Sequence, residues 1–487
     1  MGGGLMQLVA YGAQDIYLTG NPQITFFKVV YRRHTNFSVE SIEQTFNGTA
    51  NFGKKISCTV SRNGDLIHKM LLHLKIGKAT VVTGRVAKWI KYLGEGIVKY
   101  AEVEIGGQKI DKHYGEWLHI WSQLTLKDGL KKAYNNMIGN VAKLTKPTSN
   151  TSSGTSSIEE FDLYIPLQFW FCRNPGLALP LIALQYHEVK INIEFENLNK
   201  CLAVYSTVAG NLVLDTGLLD SSGIPTIESS SLWVDYIYLD TDERRRFAQL
   251  SHEYLIEQLQ YPGEETLTSY NQKIKLAFNH PVKQLVWVIQ KETVQDNLQP
   301  FNYTTRYDNN PFLENDTNGS NSMQSVLETI NYNIRTNILS KGDNNCATAL
   351  LKLNGQDRFA KRDGNYFNYI IPYYHYSNSP DTGINTYTFS LKPEEHQPSG
   401  TCNFSRIDNA TLNVTLHDDT LKTGPVLHPL TTAMLSETGG TLISGGLPTQ
   451  NPDTMTTTNG SAKIRIYAIN YNVLRIMSGM GGLAYSN

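Results

Sequence analysis

The stretch "EIGGQKID", residues 104–111, reads as a β-run entering a Gly-Gly turn, and "KLNGQDRF", residues 352–359, repeats it 356 − 108 = 248 positions later. One such pair means little, because glycine turns between β-runs recur by chance. Four further matches in the same order carry more. Ile42 in "SIEQTFNG" faces Ile256 in "LIEQLQYPG", and Ile56 in "KISCTVSRNGDLI" faces Ile274 in "KIKLAFNHPVKQLV". Gly176 faces Gly400, and Val234 in "WVDYIYLD" faces Ile466 in "RIYAINYN". In chain order the offsets run 214, 218, 248, 224 and 232. The rise to 248 puts about 30 extra residues in the second half, where "QDNLQPFNYTTRYDNNPFLENDTNGSNSMQ" is too polar to build core and reads as a surface loop. The fall to 224 puts about 24 extra residues in the first half, around "KPTSNTSSGTSS". Insertions land in connections while strand order is kept.

At 487 residues the chain exceeds the size at which one core usually stops growing, so two domains are expected. Short runs rich in Val, Ile, Tyr, Phe and Thr, such as "MLLHLKI", "VKINIEF", "QLVWVIQ" and "ATLNVTL", alternate with Gly, Asn, Asp and Pro. That pattern is all-β. The layout predicted is an N-terminal arm over 1–25, a first β-domain over 26–240, a linker helix over 241–252 and a second β-domain over 253–487. Strand spacing allows sandwiches of the jelly-roll or the immunoglobulin kind and does not choose between them. Helix signals are few. In "LDTDERRRFAQL" Asp240 or Thr241 can cap the first turn and Glu243 suits its positive end; a second helix is expected within "GEWLHIWSQLTLKDGLKKAY".

Charged residues are 18% of the chain and the formal net charge is −1. No global basic field exists to hold nucleic acid, and "YRRH" at 31–34 is only a local patch. A surface poor in charge tolerates burial against neighbours. The five cysteines are scattered without CxxC spacing, which argues against a disulfide framework or a zinc knuckle. The opening "MGGGLMQLVAYG" lacks the pattern of a secretion signal, and Met6 stands where a myristoylation motif wants Ser or Thr. The most apolar stretch, "FDLYIPLQFWFCRNPGLALPLIALQY", is interrupted by Arg173, Asn174 and prolines before it reaches membrane-spanning length.

Motifs for chemistry are near-misses. "GTANFGKK", 48–55, satisfies GxxxxGK, but Lys55 replaces the magnesium-ligating hydroxyl and a strand pattern follows instead of a helix. His187-Glu188 and His252-Glu253 are followed at the fourth position by Ile191 and Ile256, so no zincin pair forms, and these histidines are expected at strand ends or interfaces. No HxH supports a metal-dependent bicupin, and "IMSGMGG" has Ile476 where a nucleophile elbow needs Gly. The residues therefore predict no catalytic group, cofactor or metal, with a bicupin enzyme and a glycan-binding sandwich as rivals to a structural protein. Sequons at Asn36, Asn47, Asn150, Asn302, Asn315, Asn318, Asn403, Asn409, Asn413 and Asn459 follow from an Asn- and Thr-rich composition. The Arg244–Arg246 run reads as the solvated or interface side of the linker helix.

Long blocks then carry a resemblance: "LVAYGAQDIYLTGNPQITFFKVVYRRHTNF" (8–37), "NPGLALPLIALQYHEVK" (174–190), "VDYIYLDTDERRRFAQLSHEYLIEQLQ" (234–260), "LNGQDRF" (353–359), "QPSGTCNFSRIDNATL" (397–412) and "YNVLRIMSGMGGLAYSN" at the C-terminus. The chain resembles the major capsid proteins of nucleocytoplasmic large DNA viruses, those of algal and giant viruses above all. The resemblance implies a double jelly roll, all-β with a few short helices in its connections, and a non-enzymatic role in the virion. It implies a homotrimer whose six rolls form a pseudo-hexagonal block, tiling an icosahedral shell assembled in the host cytoplasm. Expected partners are further copies of the chain, minor capsid and penton proteins and, through the N-terminal side, the inner virion membrane; specific nucleic acid is not among them. The resemblance also implies that Arg32 and Arg33 make inner-face contacts and that the 293–347 loop points outward. Asn302, Asn315 and Asn318 in that loop are the candidate glycan acceptors. Gly107, Gln108, Gly355 and Gln356 have structural roles at equivalent strand ends.

Overall fold

In the computed structural model, residues 3–10, 12–81, 85–145, 148, 156–208, 211–214, 223–296, 298–305, 343–421 and 460–485 are described. Both quoted turns are two-residue hairpin loops. Gly106 and Gly107 have φ of 57° and 83°, and Asn354 and Gly355 have φ of 49° and 82°. Positive φ at both central positions is the type I′ geometry, whose twist matches that of the strands it joins, and it explains why Gly and Asn stand there. The pairs closing the two loops correspond, Ile105 with Gln108 and Leu353 with Gln356.

From these hairpins the sheets build outward. In the first roll the strands are β1 (Phe37–Thr45), β2 (Lys55–Thr59), β3 (Leu66–Ile76), β4 (Val98–Ile105), β5 (Gln108–Tyr114), β6 (Phe161–Pro166), β7 (Val189–Phe195) and β8 (Ile227–Leu239). The second has β9 (His252–Gln260), β10 (Asn271–Lys275), β11 (Pro281–Lys291), β12 (Cys346–Leu353), β13 (Gln356–Asp357), β14 (Ile384–Thr388), β15 (Ala410–Leu416) and β16 (Ala462–Met477). One sheet of the first roll runs β1-β8-β3-β6 and the other β2-β7-β4-β5. Adding eight to each label gives the second roll, β9-β16-β11-β14 and β10-β15-β12-β13. Two four-stranded antiparallel layers connected in this order are a jelly roll, which decides the choice that spacing left open.

Alternate residues fill each interior. Met70, Leu72 and Leu74 of β3 meet Val234 of β8, and Leu285, Trp287 and Ile289 of β11 meet Ala468 of β16. The ladders also correct the sequence pairing in detail. Carried from the hairpins, they match Ile274 with Cys58, since the partners Leu412 and Ile191 face Leu351 and Val103. In the other layer Val234 pairs with Met70 and Ala468 with Leu285, so Val234 corresponds to Ala468, two positions from Ile466. Even slips are the natural error of sequence matching, because a two-residue shift leaves every side chain on its own face.

The rolls are joined by helix α2 (Thr241–Gln249), capped by Asp240, whose carboxylate accepts from Thr241 N at 2.8 Å. Arg244 Nε reaches Asp65 Oδ1 at 3.0 Å and ties α2 to the first roll. The first-half insertion supplies helix α1 (Gly115–Thr125), immediately after β5.

Candidate functional site at the seam between the rolls

Helix α1 is the wedge between the rolls. Trp117, Ile120, Trp121 and Leu124 recur at i, i+3, i+4, i+7 and bury together against Val286 and Val288 of β11, Ile384 of β14, and Tyr467 and Ile469 of β16. That covers the outward face of the second roll's sheet, so β11 is buried along nearly its whole length on both faces. Full burial of such side chains is worth about 1.5–3 kcal/mol each, making this seam a third core beside those of the two rolls and not a sliding contact. The last turn of α1 is fixed as well: Asn378 N donates to Leu124 O at 3.1 Å and Asn378 Nδ2 to Gln123 O at 2.7 Å.

Polar groups inside the seam are bonded across it. Glu116 accepts from Arg465 Nη1 at 2.8 Å and from Tyr303 OH at 3.1 Å, and also from Tyr467 OH. Burial pushes the Tyr303 and Tyr467 phenols up, and the Glu116 charge adds to that. Burial works against the Arg465 cation, but Glu116 overrides it and holds the guanidinium above its usual value. Alongside, Gln258 Nε2 donates to Ile110 O and Leu259 N to Asp111 Oδ1 at 3.0 Å, stitching β9 to β5.

A second charged group lines a cleft of about 510 Å³ bounded by Trp170, Arg173, Glu257, Glu394 and His396. Glu257 bridges Arg173 Nη1 at 3.0 Å and the fully buried Lys283 Nζ, and the Arg173 guanidinium lies 4.4 Å from the Trp121 ring. Desolvation pulls Lys283 down, with Glu257 opposing. Removing one member of such a group leaves an uncompensated charge, so separating Arg173 of the first roll from Glu257 of the second is costly.

Of the residues singled out in the sequence, some lie beside this seam and others do not. Gln108 Oε1 accepts from Leu483 N at 3.3 Å, so the first hairpin clasps the C-terminal segment. His187 bonds Gly481 O at 3.0 Å and His252 bonds Phe247 O at 2.8 Å; among the described residues neither belongs to a cluster of three or more His, Cys, Asp or Glu side chains that could hold a metal. Gly355 and Gln356 are exposed at the far hairpin. The GTANFGKK stretch is the β1–β2 connection, and its Lys55 opens β2, 3.4 Å from Glu102. Asn302 is half-buried, with Nδ2 donating to Gln299 Oε1 at 2.8 Å and Oδ1 accepting from Thr304 N at 3.0 Å. Asn315 and Asn318 lie outside the described residues. Arg32 and Arg33 are exposed in the segment that leads into β1, far along the chain from the seam.

Sequence models of two families tile the chain: the major capsid protein N-terminus over residues 25–240, and the large eukaryotic DNA virus major capsid protein over 243–482. The chain belongs to the major capsid proteins of large eukaryotic DNA viruses. It is 45% identical to the major capsid protein of Phaeocystis pouchetii virus and 43% identical to that of Paramecium bursaria Chlorella virus 1, with both chains covered in full in each case. Its backbone matches a chain of the quasi-atomic model of the PBCV-1 virus capsid with a TM-score of 0.69 at 37% identity, covering 95% of this chain and 100% of that one. The Faustovirus major capsid protein, at 13% identity and a TM-score of 0.67, shares the fold. As a major capsid protein the chain is a structural component of the virion and forms the capsid shell by associating with itself, and the seam is a structural device rather than a reaction centre.

Proposed function

We propose that three copies of this major capsid protein form one capsomer, each chain contributing two jelly rolls to a pseudo-hexagonal block that tiles an icosahedral shell. The observation that carries this is what a single chain leaves bare. Half of the exposed large apolar side chains among the described residues lie in the first 39 positions, with Phe26 at 88% and Phe27 at 99% exposure. Apolar surface gathered in this way marks a segment made to be covered by a partner. Two similar rolls per chain supply six similar faces from three chains, the geometry a hexagonal tile needs.

On the same reading the N-terminal side, with Arg32 and Arg33, faces inward, toward acidic groups of minor capsid and penton proteins or of the inner membrane, in shells assembled in the host cytoplasm. Gly107, Gln108, Gly355 and Gln356 shape equivalent strand ends and take no part in chemistry. Glycan attachment at Asn302, Asn315 and Asn318 belongs to this proposal; at Asn302 the attachment atom is Nδ2, which now donates to Gln299, and peptide mass spectrometry reads the occupancy. The central test is mass and shape in solution: three chains of 54.7 kDa, about 164 kDa, seen as hexagonal particles by electron microscopy. A stable monomer at high concentration overturns the proposal.

A further inference from the structure

The chain's internal repeat identifies a face of the first roll that is left uncovered in one copy. After each hairpin strand a glycine presses on the carbonyl that opens the neighbouring strand: a β-carbon at Gly115 would collide with Val98 O, and one at Gly364 with Cys346 O. A helix follows each glycine. In the first roll it is α1; in the second it is a π-helical turn, Tyr366–Ile370, that continues as helix α3, Ile371–His375. Counting on from the two glycines puts Ile120, Trp121 and Leu124 of α1 level with Tyr369, Ile370 and Tyr373. The first three are buried in the seam. The second three are exposed, at 42%, 46% and 79%, and Tyr374 beside them at 73%.

The surface that α1 covers is repeated too. Leu179 and Pro180 pair with Ile67 and Leu66 of β3, as Cys402 and Asn403 pair with Val282 and Pro281 of β11, and each pair runs into a 3-10 turn. Ile67 therefore corresponds to Val282, and Leu71 and His73 to Val286 and Val288. Trp233 pairs with Leu71 as Tyr467 pairs with Val286, and Tyr164 pairs with His73 as Ile384 pairs with Val288. In the second roll this outward face is sealed: Tyr467 is 1% exposed and Ile384 0%. In the first roll the same positions stay open, Trp233 at 37% and Tyr164 at 38%, with the His73 and Tyr164 rings stacked 4.7 Å apart. An outward sheet face that meets water is normally polar, and this one carries Leu, Trp and Tyr.

Resting on the three-chain reading above, we infer that the Tyr369–Tyr374 helix face of one copy docks on the Leu71–His73–Tyr164–Trp233 sheet face of a second copy, repeating between chains the seam that α1 makes within one. The occupant follows from the repeat: the element that seals the second roll is the first roll's helix, so the element that seals the first roll is the second roll's helix, which its own chain leaves facing solvent. Head-to-tail contacts of this kind close into a ring when the rotation permits, here after three chains and six rolls. The copy is not identical. Ser231, paired with His73, stands where Arg465 is paired with Val288, and Asn365, next after Gly364, stands where Glu116 follows Gly115. The inter-chain seam thus keeps the apolar wedge and lacks the buried ion pair, which suits a joint formed after each chain has folded.

The test uses the full chain. Wild type and the variants Tyr373→Glu and Trp233→Glu are compared by sedimentation over a concentration series, and unchanged far-ultraviolet circular dichroism spectra show that the exposed substitutions leave the fold intact. The expected result is a wild-type species of three chains and at least a tenfold loss of association in each variant. Independently, a benzophenone amino acid placed at Tyr373 should cross-link, between isotopically distinct copies, to peptides containing Leu71, Tyr164 or Trp233. A wild-type trimer that both variants retain, with cross-links elsewhere, overturns the docking inference and leaves the three-chain reading standing. A wild type that sediments as a single chain overturns both.

Discussion

Glu116 of the first roll and Arg465 of the second lie 2.8 Å apart across the seam, both largely withdrawn from water. Arg465 also reaches Glu264 Oε2 at 3.2 Å, while Glu116 takes hydrogen bonds from two tyrosines. Replacing Glu116 with Ala leaves a buried cation with only the longer bonds to Glu264 and to Gln290 Oε1 at 3.1 Å, and takes the acceptor from two phenols, a change worth about 3 kcal/mol. Glu116→Gln keeps the shape and an acceptor oxygen and should cost less than half of that. Chemical denaturation of both variants checks the ranking; equal losses would mean that packing of the side chain matters and its charge does not.

The hairpins give a test of backbone geometry. Gly355 has φ of 82° and open space around its α-carbon, so Gly355→Ala meets only the left-handed strain of about 1 kcal/mol. At Gly106 the φ is 57° and a β-carbon would also run into the His187 ring, which is held by its bond to Gly481. Gly106→Ala should therefore destabilise clearly more than Gly355→Ala in the same denaturation experiment, although the two loops look alike in sequence. The equivalent of Gly106 in the second hairpin is Asn354, at φ of 49°; Asn354→Gly relieves the left-handed strain but removes the acceptor of Asn409 N at 3.0 Å, so the two effects oppose and the net change should stay below about 1 kcal/mol.

Much of this architecture can be read from the sequence for a physical reason. A two-residue type I′ loop demands Gly or Asn at fixed positions, so "IGGQ" and "LNGQ" mark the same hairpin wherever they occur. Register is less legible, since a slip of two residues preserves the alternation that sequence matching relies on. The seam was legible only in part. In "MLLHLKI" polar residues interrupt the apolar ones, whereas "VKQLVWVIQ" has a continuous apolar centre, the mark of a strand buried on both faces. The Trp117, Ile120, Trp121, Leu124 spacing of α1 is present in "GEWLHIWSQL" as a helical stripe. What no local pattern shows is that the stripe of one roll covers the strand of the other, and that Glu116 finds Arg465 some 349 positions away. Such pairs exist only where the two rolls pack against each other.

Cysteine reactivity offers a further check on the core. Cys58, Cys172, Cys201 and Cys346 are buried, and Cys402 is half-buried at the edge of the second roll. Desolvation pushes the Cys58 thiol up to about 11 and those of Cys172 and Cys346 up to about 12, so hardly any thiolate exists there near neutral pH. Ellman's reagent at mildly alkaline pH should modify one thiol per native chain and five after denaturation. Cys402→Ser should remove the native reaction. Rapid labelling of two or more thiols in the native protein would show that a roll opens.

The cleft at the seam makes stability depend on pH in a direction that can be worked out. His396 lies beside Glu257, Lys283 and Arg173, with Glu394 and Glu395 on the cleft wall. Desolvation lowers its pKa from the usual 6.5, with the Glu257 charge opposing and the two cations assisting. Between the lowered value and 6.5 the unfolded chain binds more protons at this site than the native one, so stability rises with pH across that window. The contribution is fully present above 6.5 and is lost as pH falls through the lowered value. His396→Gln, of similar size and without a titrating proton, should lose less stability than wild type on going from about pH 7.5 to about pH 5, whatever the other histidines add to both. The quantity to compare is the shift in denaturation midpoint for each protein, and an equal shift in the two would show that His396 stays in contact with water in the folded chain.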